Sequence, residues 1–186
     1  SKGTGRPLAK IATRAMLGQA LEEQGVTGEL VPEHFSVKEA VLPFLKMPGY
    51  DPILGPEMRS TGEVMGVGKC FGEAFAKAEA GAGTVLPRPG SGGKVVVSVA
   101  DRDKPRVLPI ARRMADMGFE LVGTGGTAAY LSGEGVECRG ISKLSEGTPN
   151  ILTLLEDGVE LVVCTPEQGR RDREEGRAIR ESAVEL

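Results

Sequence analysis

The stretch KVVVSVADRDKPRVLPIARRMADMGFELVGTGGTAAYL, Lys94 to Leu131, decides the fold. It opens on the apolar run Val95, Val96, Val97, turns through a polar corner, continues as an amphipathic helix and returns as FELVG before Thr124-Gly125-Gly126-Thr127. Short continuous apolar runs are what strands buried on both faces look like, so this is a βαβ unit of a parallel sheet. A return strand that runs straight into glycines and hydroxyls opens a helix whose first N–H groups can cradle an anion. A TGGT turn alone is an ordinary strand-to-helix connection. The second corner adds to it, because Ser98 and Lys104 follow the first strand and fall at the same carboxyl edge of the sheet, where ligands sit in open α/β folds.

Downstream the alternation continues. TAAYLSGEG predicts a short helix, VECRG a short strand, Pro149 to Asp157 a helix stopped by Gly158, Glu160 to Thr165 another buried strand, and Arg173 to Leu186 a last helix. The class is therefore α/β with a mainly parallel, Rossmann-like sheet and right-handed crossovers. Lys143 lies in the loop after the third strand and Thr165 just past the fourth. Four strand ends thus bring Ser98, Lys104, Thr124, Gly126, Thr127, Lys143 and Thr165 to one rim, and cations with hydroxyls suit a phosphorylated ligand. The run GRRDREEGR interleaves its arginines with Asp172, Glu174 and Glu175, which reads as a solvated helix start.

Upstream, Pro7 to Gln24 places Leu8, Ile11, Ala12, Ala15 and Met16 on one helical face, with Gly25 just past the end. SVKEAVLPF reads as an edge strand that stops at Pro43. Glu39 lies inside that apolar run; it either points to solvent, which the residues alone favour, or is held for a cationic ligand. Residues 46–68 carry too much glycine and proline for a helix or a continued strand and read as an ordered loop anchored by Ile53, Leu54, Met58, Val64 and Met65. Lys69 to Ala80 predicts a second helix through Phe71, Ala74, Phe75 and Ala78. GAGTVLPRPGSGG follows, and the domain boundary is expected there, with residues 86–93 as the linker. Two helices, one or two strands and a long loop are too few elements to close a core, so the first half reads as the tail of something larger.

Composition narrows the function classes. The 186 residues include no Trp and one His, so chemistry that needs several histidines is excluded, and His34 reads as a surface residue. Cys70, Cys138 and Cys164 are odd in number and far apart, which fits neither a disulfide framework nor a CxxC metal site and points to a reducing, cytoplasmic setting. No run approaches the roughly 18 apolar residues of a membrane helix. The net charge of −3 falls entirely in the second half, and neither nucleic acid nor membrane is indicated as a partner.

SKGTGRPLAKIA, GVTGELVPEHFSVKEAVLPF and especially GPEMRSTGEVMGVGKCFGEAFAKA resemble the large subunit of carbamoyl-phosphate synthetase, and SVADRDK with GTGGT resembles the methylglyoxal-synthase-like regulatory domain that ends it. The resemblance spans the whole chain. It implies that residues 1–85 are the end of the second ATP-grasp unit, a mostly helical remnant, and that 94–186 are most of the regulatory domain. It implies a ligase that makes carbamoyl phosphate for arginine and pyrimidine synthesis, with ATP and Mg2+ or Mn2+ handled elsewhere in the subunit and no cofactor or catalytic residue in this part. The implied effectors are UMP or IMP, held through Lys104, Thr124, Thr127 and Lys143, and ornithine, held between the domains against Glu39 and Leu42 and near Leu54. The implied partners are the rest of the large subunit, a glutaminase small subunit and, through the regulatory domain, further copies of itself. The chain departs from the family at Cys164, Thr165 and Pro166, where an Asn and a hydroxyl are expected, which bears on nucleotide selectivity. It also ends at Leu186, ahead of a strand and helix that in the family complete the ornithine pocket.

The rival is a free-standing enzyme of the methylglyoxal synthase type, which uses a similar fold and phosphate corner but needs acid/base groups around it. In the corresponding loop, SEGTPN, Glu146 is the only acid, and the second half has no histidine.

Overall fold

The computed structural model describes residues 1–43, 60–165 and 170–185. Two compact units divide the chain, the first from Ser1–Val41 and Ser60–Val85, the second built on Leu86–Leu186.

In the first unit, helix α1 covers Leu8–Met16 and a 3-10 turn Glu22–Gln24. The helix is shorter than the apolar spacing predicts. Gly18, at φ 94°, takes the left-handed conformation that ends helices, and a second such glycine, Gly25, ends the 3-10 turn. No residue of α1 is buried. Strand β1, Phe35–Val41, pairs antiparallel with β2, Gly62–Gly68, with Val37 opposite Gly66 and Glu39 opposite Val64. Residues 62–68, read from their glycines as loop, are therefore strand, and those glycines have a packing reason. Helix α2, Phe71–Ala82, lies so close on β2 that a Cβ on Gly68 would come 2.7 Å from the Ala74 nitrogen. Glycine inside a strand often marks such an approach. Glu73 locks the start of α2, accepting from the Lys69 N–H at 2.8 Å and pairing with Lys77 at 2.7 Å. His34, exposed as expected, bonds to the Gly3 carbonyl at 2.9 Å.

The second unit is a four-stranded parallel sheet in the order β5-β4-β3-β6, formed by β3 (Lys94–Ser98), β4 (Glu120–Thr124), β5 (Arg139–Ile141) and β6 (Leu161–Cys164). The intervening helices are α3 (Lys104–Asp116), α4 (Gly125–Gly133), α5 (Ile151–Glu156) and α6 (Arg170–Glu185). β3 is central, which is why Val95, Val96 and Val97 are 0–1% exposed. Val95 and Val97 join Val107, Ala111 and Leu131 in the core under α3 and α4, while Val96 joins Ile151, Leu155 and Ile179 in the core under α5 and α6. The chain steps outward from β3 to β4 to β5 and then crosses to the other side of β3 as β6. Connections therefore leave the neighbours β3 and β6 on opposite faces, and a crevice opens at their carboxyl ends.

Cys138 is packed against Gly123, and burial pushes its thiol up to about 11. The neutral thiol is favoured in the fold, so its contribution to stability is present below the unfolded value of 9.0 and fades as pH rises from there through about 11. In a Cys70→Ser, Cys164→Ser variant, Cys138 is expected to react with a disulfide reagent at neutral pH about a hundredfold more slowly than when unfolded, the ratio of thiolate fractions. A reaction in the folded protein as fast as in denaturant overturns this.

Candidate functional site

A cavity of about 100 Å³ opens at the carboxyl edge, and Ser98, Lys104, Thr124, Gly126, Thr127, Lys143 and Thr165 all line it. Strand ends put them there. Ser98 closes β3, Thr124 closes β4, Lys143 follows β5 by two residues and Thr165 directly follows β6.

No loop separates β4 from α4: Thr124 is both the last strand residue and the residue ahead of the helix, and no side chain caps that end. The first N–H groups of a helix have no partner within it. Two hydroxyls fix the corner beside it. Thr127, 1% exposed, accepts from the Val99 N–H and donates to the Val99 carbonyl, both at 3.4 Å, and its oxygen lies 3.5 Å from that of Thr124. The Thr165 hydroxyl accepts from the Ala100 N–H at 2.9 Å. Thr127 and Thr165 thus shape the cavity through the β3–α3 corner, while Ser98 and Thr124, 3.4 Å apart, present hydroxyls near its floor.

Lys104 opens α3 with its side chain only 15% exposed, its ammonium 2.6 Å from Asp101. A Cβ on Gly126 would meet that ammonium at 3.3 Å, whereas one on Gly125 would meet nothing within 4 Å. Neither glycine has a positive φ. Space at Gly126, rather than backbone freedom, is what the pair supplies.

Lys143 precedes a 3-10 turn, Leu144–Glu146, in which the Glu146 carboxylate accepts from the Lys143 N–H at 2.8 Å. The only acid of the SEGTPN loop is thus engaged with backbone. Glu175 of α6 accepts from the Ser145 N–H at 3.0 Å, tying that turn to the helix, and Glu175, Gly176 and Ile179 line the cavity beside Cys164. Sequence reasoning missed Asp101 and Glu175. Asp101 was legible as an acid three residues before a lysine at a helix start. Glu175 was hidden in a charge run that reads as solvated. The Lys104 ammonium, first by hydrogen bonding and then by its charge, holds the Asp101 carboxyl below its usual value, and Lys143 adds to this.

Glu39 shares the face of the β1–β2 pair that α2 covers, since its cross-strand partner Val64 faces Gly81 of α2. Its burial is intermediate. Leu42, just past β1, is half-buried as well. Leu54 and Pro166 lie outside the described residues. Among the described residues no helix is long and apolar enough to cross a membrane.

Residues 106–186 match the MGS-like domain family. The chain is 52% identical over 186 residues to the carbamoyl phosphate synthase large chain of Pasteurella multocida, covering all of this chain and 17% of that one. It is 49% identical over 185 residues to that of Xanthomonas campestris pv. campestris, again covering 17% of it. Against the carbamoyl phosphate synthase large chain, C-terminal section, of Methanopyrus kandleri it is 48% identical over 194 residues, covering all of this chain and 35% of that one. The chain therefore spans only about a sixth of the length of the large chains it matches. From end to end it belongs with the carbamoyl phosphate synthase large chains and closes in an MGS-like domain.

Proposed function

We propose that this chain is the regulatory end of the large subunit of a glutamine-hydrolysing carbamoyl-phosphate synthetase, a ligase that forms carbamoyl phosphate from bicarbonate, glutamine-derived ammonia and ATP. In this reading residues 94–186 bind a nucleoside monophosphate, UMP or IMP, by its phosphate. The observation that carries it is the convergence of Lys104, Lys143, the Ser98 and Thr124 hydroxyls and the uncapped start of α4 on one cavity. A phosphate there meets two ammonium groups, two hydroxyls and partial positive charge at the helix start, while Gly126 lets it approach the backbone. In this reading ATP and its metal belong to other parts of the subunit. Calorimetric titration with UMP, IMP, uridine and inosine tests the reading. Binding by the monophosphates and not by the nucleosides is expected; nucleosides binding equally well overturn the phosphate-led site.

Ornithine is the second effector in this reading, with Glu39 as its anionic contact. Glu39 places a carboxylate at intermediate burial on the β1–β2 face towards α2, and an ammonium is the natural partner for such a group. A ligand that binds one arrangement of a protein better than another shifts the population towards it, which is the basis of activation at a distance. In the complete subunit, Glu39→Ala is expected to weaken ornithine activation by about tenfold or more, the scale of one charge-assisted bond, and to leave nucleotide binding at Lys104 unchanged. Activation at wild-type ornithine concentrations would sink the assignment.

A further inference from the structure

We infer that Asp101 is a built-in counter-ion of the anion cavity, an intramolecular competitor that an incoming phosphate must displace from Lys104. The inference rests on the anion-site reading above. The Asp101 carboxylate reaches the Lys104 ammonium at 2.6 Å, and both side chains line the cavity. The two ends of the pair differ in burial. The Lys104 side chain is 15% exposed and held over Gly126, whereas that of Asp101 is 86% exposed on the 3-10 turn Asp101–Asp103. The cation is thus the buried end of the pair and the anion the solvent-exposed end, so water can take up the carboxylate when another anion takes the ammonium. Lys143 also acts on the same carboxylate.

The chemistry of exchange follows. A ligand anion takes over the Lys104 ammonium only by releasing Asp101, so its apparent affinity is lowered by the strength of that pair. The carboxylate sets a floor, in that an anion whose own interactions with the cavity are weaker than those of Asp101 leaves the lysine paired as it was. A phosphate can exceed the floor because the cavity's hydroxyls and the start of α4 add to what the lysine offers.

The test is titration of the full chain with inorganic phosphate at low ionic strength, in wild type, Asp101→Asn, Lys104→Ala and the double variant. Asp101→Asn is expected to bind phosphate roughly twofold to fivefold more tightly than wild type, the scale of a pair with one mostly exposed partner. The gain is expected to vanish in the Lys104→Ala background, because the carboxylate acts through that lysine. A wild-type carboxyl carbon signal of Asp101 that shifts on phosphate addition gives a second, structural readout. Unchanged or weaker phosphate binding by Asp101→Asn overturns the competitor while leaving the cavity's anion reading intact. So does a gain that persists without Lys104. Phosphate binding to neither wild type nor Asp101→Asn overturns both.

Discussion

Lys104→Ala is expected to weaken binding of a nucleoside monophosphate by about tenfold to a hundredfold, the equivalent of about 1.5–3 kcal/mol for one charge-assisted hydrogen bond. The size follows from where the ammonium is held. With its side chain 15% exposed, directly above Gly126 at the start of α4, it sits beside the N–H groups that would share the same phosphate. Truncation removes from the cavity the more buried cation of the Lys104–Asp101 pair, and that loss carries the effect. Gly126→Val should reproduce the loss by a different route, since its Cβ would press on the Lys104 ammonium at 3.3 Å and its methyls would crowd the anion's approach to the start of α4. Calorimetry reads both variants, and unaltered thermal unfolding separates lost binding from lost fold. A Lys104→Ala chain with wild-type affinity would remove this lysine from the site.

Much of this site was legible because parallel α/β folds convert chain order into spatial order. Once VVV, FELVG, VECRG and ELVVC are read as parallel strands, the residue after each one goes to the same edge, and Ser98, Thr124, Lys143 and Thr165 follow without any knowledge of the helices between them. What failed were inferences about single residues whose neighbours come from afar. The stripe Leu8, Ile11, Ala15 and Met16 predicts one helix to Gln24, yet Gly18 ends it early and Met16 is 79% exposed. Spacing announces a helix but not where a left-handed glycine stops it. Nor does the sequence say which face of β1 a later helix will cover, so it does not place Glu39 on the face towards α2. Asp101 is hidden in the sequence because an acid among the cations of an anion site reads as a solvated charge, and only the fold brings it 2.6 Å from Lys104. GEVMGVG reads as loop for the same reason, its glycines being a record of how closely α2 lies on the strand.

That last feature sets the largest expected effect on stability, from Gly66→Ala. A Cβ at Gly66 would overlap the Ala74 carbonyl and stand 2.6 Å from the Ala78 nitrogen. Both obstacles are helix backbone, so no rotamer change relieves them, and α2 must lift off β2. Ala74 and Ala78 are 0% exposed, so lifting opens the contact the first unit is built on. Overpacking of a close-packed contact costs about 1–3 kcal/mol and more when nothing nearby can yield, and here about 3 kcal/mol or above is expected. Set against the roughly 5–15 kcal/mol that holds a typical domain together, that is enough to unfold a small unit near ambient temperature. Hydrogen exchange is the suitable measurement because it reports each element separately: β1, β2 and α2 should lose protection while the β3–β6 sheet keeps it. Gly72→Ala is the matched control. Its Cβ meets nothing within 4 Å, it lies exposed on the same helix, and removing a helical glycine there should stabilise by about 0.5–1 kcal/mol. Full protection of β2 and α2 in Gly66→Ala would mean that the helix can stand further from the strand at little cost, and the packing account of these glycines would fail.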